Sequence, residues 1–544
     1  TVARARAASL LTQSNFSKYY HGLEMERAQL LVLALCGHFG RKGAGPSVFP
    51  AMTIAGASAA IVAPGSLPPK AGAAVIGAKV LPRILAAKWR GEPEETVLRD
   101  LAAEECASGR YVSGVLFEWF HGGLEQLYGS APASDPYLPR PTGDYLREAL
   151  ARRWQHRPAR ARQRVFFEVG GNLLRRARGH DRLRRAFLSE VDTLVTLDWR
   201  MSSTALASDY VLPAAAWYEK DDITWATPLV PFAHPTTAAV RPYREAKTDW
   251  EFHCELLATI ERRARERGIK TFTDRSGRTR RLDQVYREFS FGYRFGERDA
   301  PVVLDELLGL TTNLGGTRWG QLKKRGFARY SALGLDFINT PNATDLTPGD
   351  TITAGTWHTE KKIPWPTLTR RIQFYVDHPW FLELGEELPA HKDPPPFGGD
   401  YPLALTTQHA RWSIHASWRD APELLRLDRG EPVVRLNPRD ARSRAIGDGD
   451  MVRVYNDLGA FFARAKLAPS IQPGQVVIEH AWEPYQFVGH RSHQSLVAGA
   501  VNPLQLAGGY EQLCVTPVTG QPGSADRATR VEVEPARARA GRQH

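Results

Sequence analysis

The stretch RVFFEVGGNLLRRARGHDRLRRAFLSEVDTLVTLDWRMSSTALASDYVLPAAAW, residues 164–217, decides the fold class. Its three short apolar runs, VFFEV, TLVTLD and YVLP, alternate with segments of helical character. Strands of this length separated by helices are typical of a parallel α/β sheet. We therefore predict an α/β fold, with an α/β dinucleotide-binding unit over residues 161–260.

The first two runs end in residues that suit a bound nucleotide. Gly170, Gly171 and Asn172 follow the first run, and Asp198 ends the second. Ligands bind beyond the carboxyl ends of parallel strands, where glycines let backbone amides approach a phosphate. A carboxylate can accept both donors of a guanine edge. A simple tight turn and a helix N-cap are the alternative interpretations of these glycines and of Asp198.

The chain becomes rich in strands from residue 401, with PLALTTQ, VVRLNP, DMVRVYN, AFFARAKLA and QVVIEHAW separated by turns such as GDGD. This pattern predicts a separate β domain over residues 401–535, a barrel. Its first strand enters a loop whose hydroxyl, imidazole and guanidinium donors suit a pyrophosphate. The candidate ligands in and beside this loop are Thr406, Thr407, His409, Arg411, Ser413, Ile414, His415 and Trp418.

The rest of the chain carries fewer signals. A helix is predicted within KYYHGLEMERAQLLVLALCGHFG, residues 18–40. Residues 1–60 are assigned to the end of an α/β domain, 61–160 to a helical and irregular segment, and 261–400 to a mixed segment and linker. Cys36, Cys106, Cys254 and Cys514 lie far apart, which predicts buried free thiols rather than a zinc or iron–sulfur site. No membrane-spanning helix and no metal ligand set are predicted.

The formal net charge of +12 raises the possibility of a nucleic-acid partner. Many of the basic residues fall in LLRRARGHDRLRRAFL and ERRARERG, interleaved with Ala and Leu rather than with stacking aromatics. This arrangement favours solvated helix faces over a nucleic-acid surface. Attraction of a polyanionic cofactor or an acidic partner is the second interpretation.

Several motifs together resemble one enzyme family. The GGN turn, Asp198, Thr204 and the SDYVLP strand are similar to the third domain of the dimethyl sulfoxide reductase family, with Leu173 in place of a proline. TDWEF at residues 248–252 and the run NPRDARSRAIGDGDMVRVYNDLGAFFARAKLAPSIQPG also resemble family elements. The resemblance implies a C-terminal double-psi-like β-barrel and a bis(molybdopterin guanine dinucleotide) molybdenum cofactor. Besides the loop ligands above, it assigns cofactor contacts to Gly170, Gly171, Asn172, Asp198, Arg200, Thr204, Asp249 and Asn502.

The segment NFSKYYHGLEMERA, residues 15–28, resembles a subgroup that contains ethylbenzene and steroid side-chain dehydrogenases and oxyanion reductases. The resemblance implies that Lys18 or His21 lies near the metal and stabilises charge there. A surface lysine and a helix-capping histidine are the alternatives. It also implies water-dependent hydroxylation of a hydrocarbon or steroid C–H bond, with reduction of nitrate, selenate, chlorate or perchlorate as the alternative.

Further expectations follow from that resemblance. The partners would be an iron–sulfur beta subunit and a haem b gamma subunit, and the location periplasmic or, alternatively, the cytoplasmic face of the membrane. The family's [4Fe–4S] motif and molybdenum ligand would precede Thr1, so we expect this chain to be a C-terminal portion. A non-catalytic cofactor-binding protein and a basic nucleic-acid-binding protein are the other two hypotheses.

Overall fold

The computed structural model describes residues 1–11, 16–47, 54–63, 65, 67–92, 94–107, 111–224, 231–274, 277–332, 343–411, 413–510, 512–513, 522–523 and 525–536. Its strands are β1 Ser9–Leu11, β2 Gly45–Ser47, β3 Val165–Val169, β4 Thr193–Asp198, β5 Tyr210–Pro213, β6 Asp222–Thr224, β7 Phe232–Thr236, β8 Thr271–Thr273, β9 Thr279–Arg281, β10 Ala328–Arg329, β11 Leu403–Gln408, β12 Val433–Leu436, β13 Met451–Asn456, β14 Gly459–Leu467, β15 Gln475–Glu479 and β16 Thr529–Pro535.

Its α-helices are α1 Gly22–Leu35, α2 Ala57–Val62, α3 Pro69–Trp89, α4 Glu94–Ala107, α5 Gly114–Phe120, α6 Leu124–Leu127, α7 Thr142–Ala151, α8 Leu173–Arg176, α9 His180–Ala186, α10 Asp249–Glu266, α11 Val285–Phe289, α12 Ala300–Gly309, α13 Trp319–Arg325, α14 Thr356–Thr359, α15 Pro379–Glu383, α16 Pro422–Leu424 and α17 Pro438–Arg442. Several of these helices are a single turn long, so they connect strands rather than form a layer of their own.

The predicted parallel sheet consists of β3, β4 and β5 in that order. Successive side chains of a strand point to opposite faces. Accordingly Phe166 packs against Phe187 beside α9, with ring centroids 5.2 Å apart. Phe167 packs on the other face against Phe252 of α10, with ring centroids 6.4 Å apart. Helical segments therefore cover both faces, which confirms the α/β prediction.

The basic segment between β3 and β4 differs from the prediction of one solvated helix. It forms two short helices, α8 and α9, because Gly179 adopts a left-handed conformation with φ 60° between them. The side chains of Arg175 and Arg182 are only 17% and 12% exposed. They turn inward because each finds a carboxylate, Glu483 for Arg175 and Glu118 for Arg182. The prediction of a solvated basic face is wrong for these residues.

The C-terminal region forms a closed barrel in the order β11-β15-β12-β14-β13-β16. Alternate side chains of β13 and β14, among them Val452, Val454 and Phe461, are fully buried inside it. The barrel mixes two parallel pairs, β11 with β15 and β12 with β14, with antiparallel neighbours. The predicted barrel is confirmed, and its double-psi character stays a prediction.

Three of the four cysteines lie within the described residues. Cys106 and Cys254 are buried and Cys36 is partly exposed, all as free thiols, whereas Cys514 lies outside the described residues. Among the helices that the structure describes, none has the length and apolar character needed to cross a membrane.

Candidate functional site

One wall of the candidate site is the carboxyl edge of the α/β sheet. The parallel register places Val169 beside Leu197 and Asp198 beside Pro213, so the turns that follow β3, β4 and β5 lie together. Gly170 has φ 64°, a conformation that favours glycine. A Cβ on Gly171 would collide with the Glu168 carboxylate. The backbone conformation therefore requires glycine at position 170, whereas a Cβ at position 171 would displace only the end of the Glu168 side chain.

The other wall is the end of the barrel from which two loops leave together. β11 and β15 are parallel, and their register pairs Gln408 with Glu479. The loop of residues 409–420 therefore begins beside the loop of residues 480–494. Parallel strands thus bring two polar loops to one end of the barrel, as they bring together the turns of the α/β sheet.

The two walls adjoin in the structure. The indole rings of Trp199 and Trp418 lie with centroids 6.2 Å apart. Arg200 Nη1 donates to Asp420 Oδ2 at 3.0 Å, and Arg200 Nη2 donates to Glu483 Oε1 at 2.7 Å. Turns from the α/β sheet and loops from the barrel therefore form one continuous seam.

Glu483 lies at the centre of this seam and is completely buried. Asn172 Nδ2 donates to both of its carboxylate oxygens, at 2.8 and 3.0 Å. Ser203 donates to Oε2 through its backbone N at 3.1 Å and through Oγ at 2.7 Å. Asn172 Oδ1 in turn accepts from Thr204 Oγ1 at 2.9 Å. Three predicted cofactor residues, Asn172, Arg200 and Thr204, are thus held by one carboxylate network.

The two acidic candidates lie at the same edge with different surroundings. Asp198 Oδ1 accepts from the backbone N of Trp199 at 2.8 Å, and burial raises the pKa of Asp198 above its usual value. Asp249 begins α10, and Lys247, two residues before the helix, forms a β-bridge with Ala214 just after β5. Asp249 Oδ2 accepts from Lys220 Nζ at 2.9 Å. Asp198 forms an N-cap-like turn here, which leaves the guanine assignment a prediction.

The predicted pyrophosphate loop is the most exposed part of the seam. Ile414 and Trp418 are 76% and 64% exposed, and Arg411 is exposed as well. His415 and Trp418 have φ angles of 46° and 57°, which are costly for residues with a Cβ. Thr406 Oγ1 accepts from Arg527 Nη1 at 3.0 Å, and the Thr407 carbonyl accepts from the same guanidinium. Ser413, also predicted, is partly buried in this loop.

His409, His415 and His480 form a group whose potential ligand nitrogens all lie within 4.8 Å of one another. Such a group could hold a metal ion. His480 Nδ1 donates to the Gln408 carbonyl at 2.9 Å, because a carbonyl can only accept. Burial lowers the pKa of His480 to about 4, so its ring is neutral near pH 7 and its Nε2 accepts from His415 Nδ1 at 2.9 Å. This hydrogen bond occupies Nε2 of His480, one of the nitrogens that a metal ion would use.

The N-terminal candidates separate into two places. The Lys18 carbonyl accepts from the backbone N atoms of Asp526 and Arg527, and burial lowers the pKa of Lys18, as do Arg527 and Arg178. Lys18 therefore lies beside the barrel loop, close enough to influence His409. His21, the residue before α1, instead lies 3.5 Å from the buried carboxylate of Glu386. Only Lys18 joins the seam.

Asn502, another predicted cofactor residue, makes hydrogen bonds within the protein. Its Nδ2 donates to the Tyr20 carbonyl at 2.9 Å, and its Oδ1 accepts from the Leu504 backbone N at 2.9 Å. The side chain is 4% exposed and caps the turn of residues 503–506. Each functional atom of Asn502 makes one hydrogen bond within the protein, and its predicted contact with a pterin or guanine stays a prediction.

The sequence-based search missed Glu483, Arg419, His480, His493 and Arg527. Arg419 is fully buried, donates to the carbonyls of His415 and His480, and lies 4.8 Å from the Trp482 ring. The available signal was the polar run HAWEPY directly after the apolar strand QVVIE. The rule that ligands bind beyond parallel strands would have marked it, had β15 been recognised as the parallel neighbour of β11.

Comparison with known proteins finds two family models along the chain. Residues 20–259 match the molybdopterin oxidoreductase model, and residues 403–520 match the molydopterin dinucleotide binding domain. The first range contains the α/β edge and the second contains the barrel loops.

Curated relatives match most of the chain. The respiratory nitrate reductase subunit alpha of Haloferax mediterranei is 35% identical over 73% of this chain and 40% of its own length. The chlorate reductase subunit alpha of Ideonella dechloratans and the dimethylsulfide dehydrogenase subunit alpha of Rhodovulum sulfidophilum are each 31% identical over 98% of this chain and 54% of their own lengths. The chain thus spans about half the length of the curated relatives it matches. Within the chain, residues 20–259 are similar to molybdopterin oxidoreductases and residues 403–520 to molydopterin dinucleotide binding domains.

Proposed function

We propose that the chain is part of the catalytic subunit of a molybdenum oxidoreductase and binds a bis(molybdopterin guanine dinucleotide) cofactor along the seam. The observation that carries this proposal is the meeting of two parallel-strand edges, one with a glycine turn and Asp198, the other with a basic and histidine-rich loop. The two matched domains lie on either side of that seam.

Unpartnered polar atoms test whether the residues present fit such a group. His493 is only 2% exposed, and both of its ring nitrogens are buried without a hydrogen-bond partner. Arg175 Nε and Arg527 Nε are likewise buried without one. Each such atom costs about 1–3 kcal/mol in an otherwise closed protein. A ligand with anionic groups and a heteroaromatic edge supplies the acceptors and donors that these atoms lack, so the donor set fits the cofactor.

In this proposal the chain's residues divide the work of holding the cofactor. The Gly170–Asn172 turn and the Arg200–Thr204 loop hold one nucleotide end, with Asp198 accepting from guanine. Thr406, Thr407, His409, Arg411, Ser413 and His415 donate to phosphate oxygens, and Lys18 and Arg527 balance their negative charge. When bound, the group supplies a redox-active molybdenum capable of oxygen-atom transfer. The protein's own contribution is orientation and a fixed positive field.

Two substrate classes compete for the reaction. The subgroup resemblance of residues 15–28 favours water-dependent hydroxylation of a hydrocarbon or steroid C–H bond. The relatives named nitrate, chlorate and perchlorate reductase favour oxyanion reduction instead. Since these relatives match over 72% to 98% of the chain, oxyanion reduction is the first candidate and hydroxylation is the second.

Partners and location belong to the same proposal. The relatives are named alpha subunits, which supports further subunits. We propose an iron–sulfur beta subunit, a haem b gamma subunit, a [4Fe–4S] cluster in the rest of the protein, and a periplasmic location.

The test has a binding part and an activity part. Asp198→Asn should weaken binding of GDP to the chain about tenfold, because its amide group opposes the guanine donors and one buried donor loses its partner. For activity, the purified complex receives reduced viologen with nitrate, chlorate or perchlorate, and separately an artificial acceptor with an alkylaromatic, a sterol or dimethyl sulfide. GDP binding that Asp198→Asn leaves unchanged would contradict the site, and the substrate that is turned over decides between the two reaction classes.

A further inference from the structure

We propose that Glu483 is a positioning residue that holds the two nucleotide-facing turns of the α/β sheet against the barrel. This inference rests on the proposed function, because it concerns the same seam. Glu483 is not one of the residues predicted to contact the cofactor, but it holds some of those residues in place. Glu483 belongs to the barrel region, and Asn172, its main partner, lies 311 residues earlier in the chain.

The first argument is the burial of the Glu483 charge. Its side chain is 0% exposed, and a buried carboxylate is tolerated only when it is paired and hydrogen-bonded. Arg200 Nη2 lies 2.7 Å and Arg175 Nε 3.8 Å from Oε1. Asn172 and Ser203 add neutral donors to both oxygens. The carboxylate therefore fixes several partners at once rather than forming a single ion pair.

The second argument is which segments these partners belong to. Asn172 ends the Gly170–Asn172 turn, and its carbonyl accepts from the backbone N of Arg176, the last residue of the short helix α8. Arg200 and Ser203 lie in the loop that follows Asp198. Glu483 thereby joins the turn after β3 to the turn after β4, the two places where the nucleotide is proposed to bind.

The third argument is that Glu483 is itself anchored to the exposed barrel loop. Its backbone N donates to Gln486 Oε1 at 2.9 Å, and Gln486 Nε2 donates to the Arg419 carbonyl at 3.1 Å. Arg419 in turn donates to the carbonyls of His415 and His480. A displacement of Glu483 would therefore move both walls of the seam. Its carboxylate accepts hydrogen bonds from protein donors, so its effect on a ligand would pass through these partners.

A purely structural role predicts a different outcome, and the chain offers a matched control. Glu261 of α10 is 4% exposed and accepts from the backbone N atoms of Tyr286 and Arg287 at 2.9 and 3.1 Å. Like Glu483, it is a buried, multiply bonded carboxylate, but its partners lie outside the seam. If burial alone matters, Glu261→Gln and Glu483→Gln should change the same properties.

The experiment measures GDP binding by calorimetry and thermal unfolding on the 544-residue chain and its variants. Glu483→Gln should weaken GDP binding about tenfold or more, because its carboxamide presents a donor to Asn172, Arg200 or Ser203 and leaves one of them unpaired. Glu261→Gln should lower the unfolding temperature and change the GDP dissociation constant less than about twofold. Glu483→Asp keeps the charge on a shorter side chain. If Glu483→Gln does not fold, Glu483→Asp should still weaken GDP binding more than Glu261→Gln does.

A reciprocal exchange supplies a second readout. Asn172→Asp alone places two buried carboxylates face to face and should weaken GDP binding. The double variant Asn172→Asp with Glu483→Gln reverses donor and acceptor and should recover at least about threefold of the affinity lost in Glu483→Gln. Equal affinities of wild type and Glu483→Gln, or no recovery in the double variant, would overturn the positioning role. If wild type does not bind GDP, or if Asp198→Asn binds it unchanged, the proposed function fails instead.

Discussion

The two walls of the seam differ in burial and in backbone strain. At the α/β edge, Asn172 is 4% exposed and bonded through both amide atoms, in part to the fully buried carboxylate that Glu483 contributes from the barrel region. In the barrel loop, Ile414 and Trp418 are 76% and 64% exposed, and His415 and Trp418 adopt left-handed backbone conformations. One wall is a closed network and the other is an exposed, strained loop.

This difference teaches how such a site can accept a large anionic ligand. The closed network needs no rearrangement, so it fixes where the nucleotide turns lie before binding. The loop holds strained backbone and exposed groups, which suits a segment whose final conformation is completed by a ligand. The buried Arg419 of the same loop donates to the carbonyls of His415 and His480, and the second of these bonds anchors the loop to the barrel.

The largest effect is expected from breaking the Arg419 anchor. Arg419→Ala removes a fully buried guanidinium and leaves Glu479, 3.3 Å away, without that partner. Removing one member of a buried pair costs about 3–5 kcal/mol of the free energy of unfolding. Urea denaturation measures this loss. The control Arg426→Ala removes an ion pair with Glu423 whose side chains are 75% and 70% exposed, and it should cost at most about 1 kcal/mol. A loss of that small size for Arg419→Ala would show that the loop is not anchored there.

The second effect concerns the nucleotide turn of the α/β edge. Gly170→Ala forces a Cβ into a backbone with φ 64° and should cost about 1–2 kcal/mol of the free energy of unfolding, although the space around it is open. Gly77, inside helix α3, has open space and no positive φ, so Gly77→Ala should stabilise by about 0.5–1 kcal/mol. Opposite signs in the two glycine variants support backbone strain at the turn. Equal signs would mean that Gly170 is not required for its conformation.

The sequence predicted the parts of this comparison that depend on local patterns. The alternation of short apolar runs with helical segments gave β3, β4 and β5, and the turn-separated strands gave the barrel. The Gly170–Asn172 turn and Asp198 were marked because each directly follows an apolar run. Long-range partners were missed, since Glu483 lies 311 residues from Asn172 and His480 lies 65 residues from His415, and no local pattern links either pair.

The pH dependence of stability provides a third test, centred on the unpartnered His493. Burial lowers the pKa of His493 to about 3, with smaller contributions from His180 and His480. The unfolded chain, with a histidine pKa of about 6.5, takes up the proton first. The contribution of His493 is therefore complete above pH 6.5 and falls as the pH drops toward 3, by about 1.4 kcal/mol at pH 5.5.

His493→Leu should remove that part of the pH dependence, whereas His391→Gln, at an exposed position, should keep it. Urea denaturation at pH 7.5 and 5.5 gives the comparison. Several other buried histidines, among them His180 and His480, also have lowered pKa values, so the difference between variants matters rather than the total slope. If the free energy of unfolding changes between pH 7.5 and 5.5 as much in His493→Leu as in the wild type, His493 is not buried in a neutral form.

The smallest effect is expected where the two walls touch through Trp199 and Trp418. Their centroids are 6.2 Å apart at an interplanar angle of 37°, and both indoles are about half exposed, at 48% and 64%. An aromatic pair contributes about 0.5–1.5 kcal/mol beyond the area it buries, and exposure places this pair at the lower end. A double-mutant cycle with Trp199→Ala and Trp418→Ala measures the coupling directly. Because Trp418 also has a φ of 57°, Trp418→Gly should relieve backbone strain that Trp418→Ala retains, so the two variants separate strain from stacking. A coupling near zero would mean that the exposed loop adjoins the α/β edge without an energetic link, leaving the buried network around Glu483 as the connection between the walls.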